Sequence, residues 1–285
     1  MFKICHETPT SLFTYAKKFN DYDYYLDFLW EDKEYCDFFK KELEEGRTVI
    51  FDSSLFEFHP TVPPIDRFYE HIVDFGKYGK NIEYIVTDVL NNKKATIQKF
   101  EEWEASYRAT APGKAIGVVQ GDSVDALDEC YLYMSQHADK IAIPFDSAGF
   151  GELTRDITSN TDECDINTRL KAWSVGRRRY IKHLVSSDVW NNNKPHHLLG
   201  CSYAWEFADP LYKKISIESI DTSNPVVAGF LSLAYGDKGL SSKPPIKLVE
   251  LIDAIPTKET LNLVLSNVAK FREIASSCIE EREIL

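Results

Sequence analysis

Nowhere in the 285-residue chain does an apolar run approach the roughly 18 residues that a membrane-crossing helix needs. The opening residues, MFKICHETPT, also lack the apolar centre of a secretory signal. The expectation is a cytoplasmic protein without a membrane partner. Cysteine is scattered: Cys5, Cys36, Cys130, Cys164, Cys201 and Cys278 stand singly, with no CxxC and no Cys/His cluster. They read as reduced thiols rather than a disulfide framework or a zinc site. Low-complexity segments, internal linkers and simple repeats are missing too, so residues 1–285 are expected to form a single domain. Positive charge is the scarcer sign, with 33 Lys and Arg against 45 Asp and Glu and a net charge of −12. That balance argues against indiscriminate nucleic-acid binding, which phosphate neutralisation drives, but leaves room for a local basic groove.

What the chain does have is an ordinary globular composition, 44% hydrophobic and 27% charged, with a clear rhythm. Short apolar, β-branched runs recur at 24–29, 48–52, 83–88, 115–120, 140–145, 197–202 and 215–221, with a weaker eighth at 226–233. Between them, helical periodicity marks 31–46, 64–79, 94–109, 123–136 and 166–185, the fourth opened by Ser123 as an N-cap. A last amphipathic helix is expected over 258–283, on the outside. Such alternation predicts an α/β fold with a parallel sheet and crossover helices, and the count favours a closed (β/α)8 TIM barrel. Residues 146–165, polar and glycine-containing, should loop over one mouth. The densest basic run, 169–184 (RLKAWSVGRRRYIKHL), gathers Arg177, Arg178, Arg179 and Lys182 among aromatic residues. It is either a solvated helix face or a phosphate-contacting surface.

Polar residues stand where these strands end: Asp52, Asp88, Gln120, Asp146, Cys201 with Ser202, and Asp221. In a parallel barrel such ends converge on the mouth that houses active sites. Any one alone could be a helix cap or turn former, but together they become one constellation. Two carboxylates across a mouth can serve as nucleophile and general acid/base at a sugar carbon. Several oxygen ligands there could equally hold magnesium or manganese, and spacing does not choose.

Ordered motifs choose. Residues 49–57, VIFDSSLFE, are similar to a strand ending in DSGGF; 116–123, IGVVQGDS, to GIVQGG; 141–152, IAIPFDSAGFGE, to AIGGLAVGE; and 194–203, KPHHLLGCSY, to KPRYLMGVG. Residues 217–225, IESIDTSNP, take the place of FDCVxPTR. All five signatures belong to tRNA-guanine transglycosylases, the base-exchange enzymes of queuosine and archaeosine synthesis, and the resemblance covers roughly residues 45–230. The family's CxCxxC zinc motif and the arginine after its nucleophile are missing here, where only Cys278 follows Asp221. The chain therefore looks more like the zinc-free branch found in phages and bacterial modification islands, which exchanges guanine in DNA for a 7-deazaguanine such as preQ0.

That resemblance implies a TIM barrel without the zinc subdomain, no cofactor, and DNA plus a 7-deazaguanine base as partners. A helper protein or a preference for single strands would offset the weak basic patch. A phage-encoded member would work in the host cytoplasm, protecting DNA from restriction. Asp221 is expected to be the nucleophile at C1′ and Asp52 the general acid/base. Asp88, Gln120, Gly121, Ala148, Gly149 and Cys201 are expected to bind the base, with Phe56 or Tyr203 stacking on it. Asp146 is either a substrate contact or a loop cap. Arg177, Arg178, Arg179 and Lys182 are assigned to the DNA backbone. The competing readings are a tRNA substrate, a non-catalytic subunit of a transglycosylase pair, and a metal-dependent barrel hydrolase.

Overall fold

Each apolar run is followed by a helix that must carry the chain back before the next strand begins, so successive strands align in parallel. The computed structural model describes residues 2–55, 64–160, 163–201 and 203–283. Its strands are β1 (Lys3–His6), β2 (Asp23–Leu26), β3 (Val49–Asp52), β4 (Ile82–Ile85), β5 (Lys114–Val118), β6 (Lys140–Pro144), β7 (His196–Leu199) and β8 (Ile217–Thr222). They form one eight-stranded parallel sheet in the order β1-β8-β7-β6-β5-β4-β3-β2. The helices are α1 (Phe13–Phe19), α2 (Lys33–Glu44), α3 (Ile65–Phe75), α4 (Lys93–Ser106), α5 (Val124–His137), α6 (Ile166–Ser186), α7 (Asn224–Phe230) and α8 (Lys258–Ser276). This is a (β/α)8 barrel in one domain. The seam between β1 and β2 is bridged by Asn20 and Asp21 instead of a ladder. Asp21 N–H donates to Ile4 O at 3.1 Å, Ile4 N–H to Asp21 Oδ2 at 2.8 Å, and His6 N–H to Asn20 Oδ1 at 2.7 Å.

Two expectations need correction. Residues 226–233 do not form a strand: Pro225 at the start of α7 and the small residues after it pack the segment as a helix against α8. The missing strand is Lys3–His6, whose four residues, KICH, are too few and too polar to stand out as an apolar run. The last helix also stops at Ser276 rather than 283, and a short 3-10 turn, Glu281–Glu283, follows. Ser123 caps α5 as expected, accepting from Ala126 N–H at 3.2 Å.

Strand alternation divides the core in two. Ile50, Ile85, Ile116, Val118 and Ala142 fill the barrel, while Phe51, Tyr84, Ile141 and Leu198 face the helices. Buried Lys140, which opens β6, pairs with Glu83 and with Glu218 at 3.1 Å. Among the described residues, no helix is long and apolar enough to cross a membrane.

Two buried histidines make this packing sensitive to acid. Neither ring nitrogen of His6 has a hydrogen-bond partner among the described residues, and burial holds its pKa well below the ordinary value. Burial pushes His196 down to about 3, although Tyr131 Oη lies 2.9 Å from its Nε2. The unfolded chain binds these protons near pH 6.5 and the folded one does not, so stability falls as pH drops through that value. Urea denaturation should show a lower midpoint at pH 5.5 than at pH 7.5, and His6→Phe should shrink the difference.

Candidate active site

The C-terminal mouth of the barrel is organised around Asp221, the fifth residue of β8. Its Oδ1 lies 2.9 Å from His197 Nε2 and accepts the Gly200 N–H at 3.0 Å, while Oδ2 receives the same N–H at 3.1 Å. A carboxylate can only accept, so Nε2 carries the proton and Nδ1 faces Ser219 Oγ at 2.9 Å. Gly200, just past β7, has φ of +60°, a conformation that glycine adopts without strain and that turns its N–H toward the carboxylate. A Cβ there would stand 3.0 Å from the Phe145 ring.

Beside His197, in a stacked arrangement with ring centroids 6.3 Å apart, lies Tyr24 of β2. Its hydroxyl donates to Asp52 Oδ2 at 2.7 Å, and Ser54 N–H donates to Asp52 Oδ1 at the same distance. Ser54 has φ of +62°, an uncommon backbone for a serine, which holds its amide over the Asp52 side chain. Asp52, Tyr24, His197 and Asp221 thus form one chain of contacts across β3, β2, β7 and β8.

A cavity of about 200 Å³ opens on these groups and on Asp88, Gln120 and Asp146. Gln120 Nε2 donates to Asp88 Oδ2 at 2.7 Å, and its Oε1 accepts Asn91 N–H at 3.0 Å, so both ends of the amide are fixed. Burial raises the pKa of Asp52 against the lowering effect of Tyr24 and Ser54. It pushes Asp88 up to about 6 and Asp146 up to about 7. Asp146 Oδ1 is buried without a hydrogen-bond partner among the described residues. Residues Lys243 to Leu248 roof the cavity. Among the described residues no group of three or more His, Cys, Asp or Glu side chains is arranged to hold a metal ion.

The structure therefore brings together Asp52, Asp88, Gln120, Asp146 and Asp221. It does not place Gly121, Ala148, Gly149 or Cys201 in the cavity wall. Gly149 N–H donates to Gly121 O at 3.3 Å and Ala148 N–H to Asn91 Oδ1 at 2.7 Å, so those amides are already committed. Both glycines serve close packing: a Cβ would come within 2.7 Å of Leu127 N at Gly121 and 2.8 Å of Ser123 O at Gly149. Cys201 is buried, its thiol pushed up to about 12 by that burial and hydrogen-bonded to Thr222 Oγ1 at 3.3 Å. Tyr203 is buried beside Trp205 at a separate groove, and Phe56 lies outside the described residues.

The basic surface needs the largest correction. Arg177 and Arg178 are fully buried. Arg177 pairs with Glu206 and donates to Ile143 O, Leu199 O and Gly200 O at 3.2, 2.8 and 2.9 Å. Arg178 pairs with Asp209 at 2.8 Å. Arg179 is tied to Asp156 and Glu281, and Lys182 to Asp209 at 3.0 Å. Clustered charge in sequence was not a charged face in space, because acidic partners arrive from remote segments. Conversely, Tyr24, His197, Glu7 and Lys243 line or support the site without having been singled out. The alternation within KPHHLLG put His197 on the inward face of β7, but two adjacent histidines gave no reason to prefer one.

No known protein family matches the sequence, and no curated protein matches it either. Among solved structures, the carboxyl transferase domain of Rhizobium etli pyruvate carboxylase with 3-bromopyruvate is similar at 10% identity and a TM-score of 0.39, over 96% of this chain and 46% of that one. The same domain with pyruvate and biocytin gives 12% identity and a TM-score of 0.33, over 83% and 36%. This chain thus spans less than half the length of those structures. A likeness of that degree carries no argument about activity.

Arg177→Met strands the buried Glu206 and should cost roughly 3–5 kcal/mol in urea denaturation, whereas Arg179→Met, whose partners are partly exposed, should cost about 1 kcal/mol or less. For Asp146, the folded pKa of about 7 exceeds the unfolded carboxyl value, so stability is lost as pH rises through that range. Asp146→Asn should raise the thermal midpoint at pH 8 and have little effect at pH 4.

Proposed function

We propose that the protein is a base-exchange glycosyltransferase that replaces guanine in DNA by a 7-deazaguanine such as preQ0, through a covalent glycosyl ester on Asp221. The observation that carries this reading is the pairing of two separately held carboxylates on one cavity: buried Asp221, gripped by His197 and Gly200, and half-buried Asp52, gripped by Tyr24 and Ser54. The ordered motifs around them, from VIFDS through GVVQG to IESID, give those carboxylates their roles.

Chemistry at C1′ of a stacked nucleoside requires the nucleotide to leave the helix, since the barrel mouth cannot reach into a duplex. In the first step an Asp221 oxygen bonds to C1′ as the C1′–N9 bond breaks; the electron pair goes to the base, and protonated Asp52 supplies its proton. Burial, which favours the neutral acid at Asp52, suits it to that donation. In the second step Asp52 takes the proton from the incoming deazaguanine, whose ring nitrogen bonds to C1′ as the C1′–O bond breaks. The His197 and Gly200 N–H groups steady the departing Asp221 carboxylate. No electrons are gained or lost overall, and the two half-reactions mirror each other.

Base selection falls to Asp88 and Asp146. Gln120 positions Asp88 with one amide N–H and, lining the cavity, keeps its second N–H for the base. A guanine edge offers N–H donors to a carboxylate and acceptors to a protonated one, and pKa values of about 6 and 7 leave both states accessible near neutrality. Bases lacking the matching pattern would leave buried polar groups unpaired.

The test is exchange of radiolabelled guanine out of DNA and out of tRNA, with and without preQ0. Release from DNA alone is expected, with none from Asp221→Asn and a rate about 10²–10⁴-fold lower from Asp52→Asn. Release from tRNA alone would move the substrate to RNA, and no release from either polymer would overturn the transglycosylase reading.

A further inference from the structure

We propose that Lys243, on the segment roofing the cavity, binds the backbone phosphate beside the nucleoside held there, so that the site selects a nucleotide within a polyanion over a free nucleoside. This rests on the proposed function for the identity of the nucleoside but not for the phosphate itself.

The mouth is short of positive charge. Glu7, Asp52, Asp88, Asp146 and Asp221 all line the cavity, and the lysines at 243 and 247 are the only cationic side chains on its wall among the described residues. Arg177 and Arg178 of α6 cannot offset these carboxylates, because both are buried in internal ion pairs. Lys243 is differently placed. Its ammonium stands over the Phe145 ring, 4.9 Å from the centroid, and among the described residues it forms no ion pair and no hydrogen bond. Had it served to neutralise Asp146, the two would meet as an ion pair; they share the cavity without doing so. Burial lowers its pKa while Asp146 and Glu7 oppose the drop, and a phosphodiester monoanion beside it would stabilise the charged form in the same way. Lys247, four residues further on, lines the same wall and adds to the positive potential. A compact ammonium on a flexible stem suits a single phosphate that must be gripped at one edge of the cavity.

The experiment compares two end-labelled single-stranded oligodeoxynucleotides carrying one guanine, identical except that one has neutral methylphosphonates on either side of it. By fluorescence anisotropy, the wild-type protein should bind the phosphodiester strand about tenfold more tightly, the worth of one charged hydrogen bond. Lys243→Met should bind the two strands alike, and Lys243→Arg should restore most of the difference; circular dichroism confirms that each variant is folded. Equal binding of both strands by the wild type, or undiminished discrimination by Lys243→Met, would overturn the phosphate site. Guanine exchange measured on the same preparations separates the two ideas. Phosphate discrimination without exchange removes the transglycosylase reading alone, and exchange without discrimination removes the Lys243 assignment alone.

Discussion

The guanidinium of Arg177 is the group on which the mouth of the barrel is built. Where β6 and β7 end, their last carbonyls lose strand partners just as the chain turns inward, and unpaired buried carbonyls are costly. Arg177 reaches from α6 to collect three of them, Ile143 O, Leu199 O and Gly200 O, while Glu206 neutralises its charge. Fixing the Leu199 carbonyl fixes the peptide plane that follows β7, and the Gly200 N–H of that same peptide holds Asp221. A structural ion pair thereby sets the orientation of the central carboxylate without touching it. The fork of donors that makes arginine suited to phosphates makes it equally suited to a ring of backbone carbonyls.

Around that anchor the mouth is organised as a conflict between burial and charge. Asp52, Asp88 and Asp146 are all held above the ordinary carboxyl range chiefly by desolvation. Asp52 and Asp88 are partly relieved by neutral donors, a tyrosine hydroxyl at the first and a glutamine amide at the second, instead of salt bridges. Full ion pairs would have made these groups permanently anionic, and full burial would have kept them neutral. At Asp88, held at about 6, and Asp146, held at about 7, both protonation states are accessible near neutrality. At the other end of the barrel, by contrast, the buried charge of Lys140 is compensated by Glu83 and Glu218.

Much of the fold was legible because it is written in local periodicity. Seven strands, the Ser123 cap and the helices between them follow from alternation, capping residues and turn chemistry, all of which act within a few residues. The errors came where that locality failed. Lys3–His6 is a strand because β8 accepts it in register, Lys3 beside Ser219 and Cys5 beside Asp221, not because its own four residues demand it. Residues 226–233 have strand-like composition, yet α8 offers them a helical packing surface that no short-range signal reports.

By itself the sequence determined the repeating βα order and the carboxylates at strand ends, since strand and helix periods are properties of neighbouring residues. Motif order in the sequence is also what the proposed chemistry at Asp52 and Asp221 rests on. Only the tertiary structure decided which polar groups face the cavity and which are spent internally. Arg177 and Arg178 have a basic local context but acidic partners 29 and 31 residues away, and His197 gains its role from Asp221 on the adjacent strand. Electrostatic roles depend on distances in space and on exclusion of water, and neither quantity is defined until the chain has closed into a barrel.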